Sequence, residues 1–154
     1  MVDNVLEYEY NRTKTLAEQA DDDYVEPTIT VKLSQNTAAG TGSHLFEDYF
    51  EDVEFPVSVV PCGTDYAVKI NGNSMEPTIP NGAIAFVRSC PAIENNKIGL
   101  FFLDGEGYCK RLKVDHNYRK IWLVSDNPDC DDIEIKEEDY LHTFGEVLDW
   151  MGDI

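Results

Sequence analysis

A mainly β domain is what this sequence predicts, on three observations. Short runs rich in Val, Ile, Phe, Tyr and Thr recur from Thr28 to the C-terminus, several of them alternating apolar with polar. The stretches between them, among them NGN, PNG, DGEG and DNPD, carry turn chemistry. No long stretch sustains the 3.6-residue apolar period of an amphipathic helix.

Taken in order, residues 1–27 are polar and acidic. Val5, Leu6, Tyr10 and Leu16 mark one stripe of a short helical arm, and ADDDYVEP reads as a charged linker closed by Pro27. The domain proper is expected over residues 28–154. TITVKLS alternates and reads as its first strand, and NTAAGTGSH follows as a small, polar, flexible loop. DYAVKIN, AIAFVRS, IGLFFLD, YCKRLKV, KIWLVSD, IEI and HTFGEVLDW then read as strands. Each combines residues that fit a pleated surface with Gly, Pro, Asn or Asp at its borders. There is no internal repeat.

Length and charge bound the function. With 154 residues the chain can build one domain with a real core. A formal net charge of −18 argues against direct binding of these residues to DNA or anionic lipid, which would repel them. No apolar run is long enough to span a bilayer, and the N-terminus lacks a basic-then-apolar export signal. The four cysteines, Cys62, Cys90, Cys109 and Cys130, form no C-x-x-C pair, and no histidine stands at metal-ligand spacing from them. They read as reduced thiols of a cytoplasmic protein, with no metal and no cofactor expected.

The stretch NGNSMEPTIPNG concentrates the chemistry. It holds Ser74 on a tight turn after a strand, and Pro77 and Pro80 stop any helix from continuing beyond it. By itself that is an ordinary turn serine. A serine nucleophile needs a base, because its hydroxyl is weakly nucleophilic at its own pKa. His44, His116 and His142 stand in polar contexts without a triad-like motif. Lysine is the other base. In GEGYCKRLKV, Lys110 shares an alternating face with Tyr108, Leu112 and Val114, which directs it inward, while Arg111 and Lys113 point out to solvent. Cys109 falls on the face opposite Lys110, away from any chemistry there. A free amine of pKa about 10.4 is neutral in roughly 1 of 2,500 molecules at pH 7; burial supplies the shift that a surface site cannot. Alone, Lys110 is one more strand lysine reaching for water. Together with Ser74 it makes a Ser-Lys dyad, a variant of the serine-hydrolase triad.

VKINGNSMEPTIPNG followed by GEGYCKRLKV resembles the LexA-type self-cleaving repressor domain, as found in phage and Gram-positive repressors. The likeness runs from about Thr28 to the C-terminus and includes IGLFFLDGEGYCKRL and HTFGEVL. It implies a LexA/signal-peptidase-like fold of several coiled β-sheets. It implies Ser74 as nucleophile and neutral Lys110 as general base and then acid. The backbone N–H groups of Asn73 and Ser74 would form the oxyanion hole. In that family the scissile Ala-Gly bond lies in a loop just upstream, and NTAAGTG offers Ala39-Gly40. The resemblance further implies a homodimer. A RecA filament on single-stranded DNA, or another inducer, would act as co-protease. Operator DNA would be reached only through a helix-turn-helix domain that these residues do not contain, so the chain reads as beginning in an interdomain linker.

Three other readings share parts of this pattern. A UmuD-like accessory subunit of a translesion DNA polymerase has the same domain, a short arm and no DNA-binding domain. A signal-peptidase relative shares S-M-x-P-T and K-R but acts at the membrane through an anchor. A non-cleaving interaction module would keep the fold without needing Ser74, Lys110 and Ala39-Gly40 intact.

Overall fold

The computed structural model describes residues 24–35 and 50–152. The expected helical arm and the whole NTAAGTGSH loop, with Ala39-Gly40, lie outside the described residues.

The described chain is mainly β, as the sequence predicts. Its strands are β1 (Thr28–Ser34), β2 (Phe50–Pro56), β3 (Tyr66–Lys69), β4 (Ile84–Ser89), β5 (Ile98–Leu103), β6 (Glu106–Asp115), β7 (Lys120–Val124), β8 (Ile133–Ile135) and β9 (Leu141–Met151), with one 3-10 turn at Val57–Val59. They join in one mixed ladder of order β2-β1-β3-β4-β9-β5-β6-β7-β8, so the several sheets expected are continuous with one another. Only β1 and β3 pair in parallel, and only over Leu33–Ser34 against Ala67–Val68.

The sequence reading missed β2. Glu51, Asp52 and Glu54 crowd a seven-residue strand and mask its pattern. The strand is tolerated because it lies at the sheet edge, where charges stay wet. There Lys32 Nζ meets Asp52 Oδ1 at 3.1 Å and Gln35 Nε2 donates to Glu51 Oε1 at 2.9 Å.

β3 and β4 are buried on both faces, which creates two apolar clusters. Ala67, Ile84 and Phe86 pack with Val31, Leu33 and Phe55 on one side. Val68, Ala85 and Val87 pack with Ile98, Leu100, Cys109 and Val147 on the other. The second cluster also takes in Met75 and Ile79, neither more than 1 % exposed, from the turn that carries Ser74.

Between β5 and β6 the chain turns on Asp104 and Gly105, both at positive φ (50° and 90°). This is the two-residue Asp-Gly hairpin signal, and it fixes a register that sets Lys110 opposite Gly99. β9 runs between β4 and β5, paired to β5 over Leu141–Glu146 and to β4 over Gly145–Met151. Gly145 stands where the two pairings overlap. A Cβ there would lie 2.5 Å from the Arg88 carbonyl oxygen, so only glycine allows the backbones to approach this closely.

Candidate active site

Ser74 is held by what flanks it. The turn from β3 to β4 closes on itself: Ile70 N–H donates to Ala83 O at 2.8 Å and Gly82 N–H to Ile70 O at 2.7 Å. Inside it, Glu76 N–H donates to Asn73 O at 3.1 Å and Ile79 N–H to Met75 O at 2.8 Å. Met75 and Ile79 drop into the core and draw the turn down against the sheet, leaving Ser74 half-buried above them. A serine followed at once by a methionine is therefore a hydroxyl at the surface of a turn whose next residue is an apolar anchor.

Lys110 lies on β6 and is 7 % exposed. It and Ser74 line the same cleft of about 230 Å³, with Ile70, Asn71, Gly72, Asn73, Tyr108 and Cys109. Burial holds the Lys110 ammonium below the ordinary lysine value, against the opposing pull of Cys130, Cys109 and Asp132. Its Nζ stands 6.0 Å from the centroid of the Tyr108 ring.

The inward direction of Lys110 is as expected, but the face it shares is not a core face. Leu112 and Val114 are only half-buried. The side of β6 packed into the apolar core is that of Cys109, and Lys110 on the opposite face is buried as well. Arg111 is likewise not simply solvated. Its Nε and Nη2 fork onto Asp126 at 2.9 and 2.8 Å, and its Nη1 donates to Asn96 O at 2.7 Å. Arg111 holds the Asp126 carboxyl below its usual range, against burial, and Thr78 from the serine turn adds a further hydrogen bond in the same direction.

Three residues from the predicted strand KIWLVSD and the predicted turn DNPD, none of them a candidate from sequence, reach into this site. Ser125 Oγ is 2.7 Å from Lys110 Nζ and donates to Asp131 O at 3.0 Å. Asp126 ties Arg111 to the serine turn. Asn127 donates from its backbone N to Ser74 O at 3.0 Å and from Nδ2 to Asn73 O at 2.9 Å. Serine, aspartate and asparagine are the residues that bond to nearby backbone, so the signal was present in SDN, but its targets are distant in sequence. Asn73 also accepts a contact from Cys130 Sγ at 3.6 Å through Oδ1. Of the histidines, His142 lies edge-on to Phe144 at 4.7 Å, neither it nor His116 lines the cleft, and His44 is outside the described residues.

All four cysteines are free thiols. Burial pushes the Cys109 thiol up to about 12, whereas Cys62 is exposed. A thiol reagent applied to the native chain near neutral pH is expected to label Cys62 rapidly and Cys109 only after unfolding. Peptide mapping of the labelled protein checks this, and equal labelling of the two in the native state contradicts the placement of Cys109 in the core.

Residues 32–148 match the Peptidase S24-like family. The chain is 34% identical over 121 residues to a LexA repressor of Oleidesulfovibrio alaskensis, an alignment covering 78% of this chain and 58% of that protein. It is 37% identical over 113 residues to a LexA repressor of Frankia alni, covering 72% and 44%. A third, from Thermosipho melanesiensis, is 30% identical over 118 residues, covering 72% and 58%. The chain thus spans about half the length of the relatives it matches.

Proposed function

The chain belongs to the S24-like peptidase family, and from that premise we propose that it is the regulatory part of a transcriptional repressor that cuts its own backbone. The bond is Ala39-Gly40, and the catalytic residues are Ser74 and Lys110. One observation carries the reading: a half-buried serine on the turn from β3 to β4 and a desolvated lysine on β6 line one small cleft.

The neutral Lys110 amine takes the Ser74 Oγ–H proton as Oγ adds to the Ala39 carbonyl carbon. The oxyanion that forms is held by the backbone N–H groups of Asn73 and Ser74. Collapse breaks the C–N bond, and Lys110 returns its proton to the Gly40 amine as it leaves. Water, deprotonated by the same lysine, then hydrolyses the Ser74 ester and restores the dyad. Chain connectivity favours the chosen bond. Gln35 O accepts from Asn71 Nδ2 at 3.2 Å, so β1 ends beside the serine turn. Ala39 lies four residues further on, a reach of up to about 14 Å.

In this reading the chain works in the cytoplasm as a homodimer. It meets operator DNA only through a helix-turn-helix domain of the whole repressor, and a RecA filament or another inducer promotes the cut. Its charge of −18 suits a half that does not touch DNA. That these relatives are LexA repressors favours a repressor over a polymerase subunit. The C-terminal LHTFGEVLDWM is apolar enough to pair as a strand across a two-fold axis, but both edges of β9 are already partly used within the chain. Among the described residues, the stretch beyond Glu146 has no ladder partner on the β5 side. Sedimentation at tens of micromolar is expected to give a dimer, and a monomer alone contradicts it. Mass spectrometry of the chain after alkaline incubation tests the self-cleavage itself.

A further inference from the structure

We propose that Ser125, just past the end of β7, is the positioning residue that aims the Lys110 amine at Ser74. The inference rests on the self-cleavage reading and concerns a residue that no part of it requires.

A serine hydroxyl has a single proton, and that of Ser125 goes to the Asp131 carbonyl at 3.0 Å. Toward Lys110 Nζ, 2.7 Å away, Ser125 Oγ can therefore only accept. Lys110 must spend one N–H on it. A neutral amine has two N–H bonds and one lone pair, and with one N–H committed the lone pair is confined to the two remaining directions. The hydroxyl is itself fixed: Ser125 is 6 % exposed and its backbone N–H donates to Asp132 Oδ1 at 2.9 Å. The same turn grips the other partner, since Asn127, two residues on, holds the carbonyls of Asn73 and Ser74. One short segment thus sets nucleophile and base against each other.

The acceptor has an electrostatic consequence. It bonds more strongly to an ammonium than to an amine, so it opposes the desolvation that favours the neutral form. The other groups acting on Nζ are Cys109 and Tyr108 on its own strand, and Cys130 and Asp132 on the segment after β7. All of them stay in place when Ser125 changes.

The experiment compares self-cleavage against pH for the unaltered full chain, Ser125→Ala and Ser125→Thr. Ser125→Ala is expected to lower the alkaline plateau roughly 10- to 100-fold, as misplacement of a reacting group does. It is also expected to move the midpoint of the profile to lower pH. Ser125→Thr, which keeps the hydroxyl, is expected to recover most of both. A residue that merely supports the fold would lower the rate without moving the midpoint, and that outcome overturns the proposal. So does a Ser125→Ala variant as fast as, or faster than, the unaltered chain. If the alanine variant does not fold by circular dichroism, Ser125→Cys, similar in volume but a poor acceptor, carries the same comparison. Failure of the unaltered chain to cut itself overturns the underlying reading as well, whereas a normal cut with an unchanged Ser125→Ala profile overturns this inference alone.

Discussion

Incubated at about pH 10 with no partner present, the chain is expected to yield two fragments, residues 1–39 and 40–154. The sign follows from the proposed role of Lys110 as general base. The base must be neutral to accept the Ser74 proton, so the rate follows the neutral fraction. It climbs about tenfold per pH unit below the lysine pKa and levels off above it. Because burial lowers that pKa, the levelling is expected below the ordinary lysine value of about 10.4. The reaction joins groups of one chain, so its rate constant is independent of protein concentration. Ser74→Ala and Lys110→Ala are each expected to remove essentially all cleavage, a loss on the order of 10⁴- to 10⁶-fold if the pair acts as a unit. A bulky residue at Gly40 is expected to block it too, since the chain must pass close to the serine there. An intact chain after prolonged incubation, with its fold retained by circular dichroism, sinks the self-peptidase reading. A cut that survives Ser74→Ala points to chemical hydrolysis or a contaminating peptidase.

Phe86→Ala is expected to cost about 3–5 kcal/mol of stability. Phe86 is fully buried on β4 and meets Phe55 edge-to-face at 5.3 Å. Around it lie Val31, Leu33, Ala67 and Ile84, from three strands that cannot all collapse into the space a phenyl ring leaves. Against a total stability of about 5–15 kcal/mol, such a loss leaves little margin. β4 also closes the turn that carries Ser74, so the variant is expected to lose cleavage wherever it is unfolded. Urea unfolding measures the change. A loss below about 1 kcal/mol contradicts the placement of Phe86 in a tightly packed core.

How much of this was legible in advance depends on how local the physics is. The strand class followed from alternation and turn chemistry, both properties of a few adjacent residues. TITVKLS coincides with β1, and the Asp104-Gly105 pair forms the tight hairpin its type demands. The one strand missed, β2, is the one whose pattern is broken by three acids, and those are tolerated only because the tertiary position is an edge. Ser74 and Lys110 stand out as candidates from residue type, spacing and likeness to a known family.

Their environment was another matter. Alternation gave the directions of Lys110 and Cys109, but it could not tell a cleft from a core. Both faces of β6 are covered at Cys109 and Lys110, and only the packing decides that Cys109 belongs with Val87 and Val147 while Lys110 faces Ser125. Nor could spacing connect Asp126 to Arg111 and Thr78, or Asn127 to Ser74. Those bonds join segments 15 to 53 residues apart, and each satisfies a polar group that would otherwise be costly to bury. By itself the sequence determined the strand class, every described strand but β2, and the candidate side chains for the chemistry. Only the tertiary structure decided which of them meet, because burial and long-range hydrogen bonding are properties of the assembled sheet and not of any one segment.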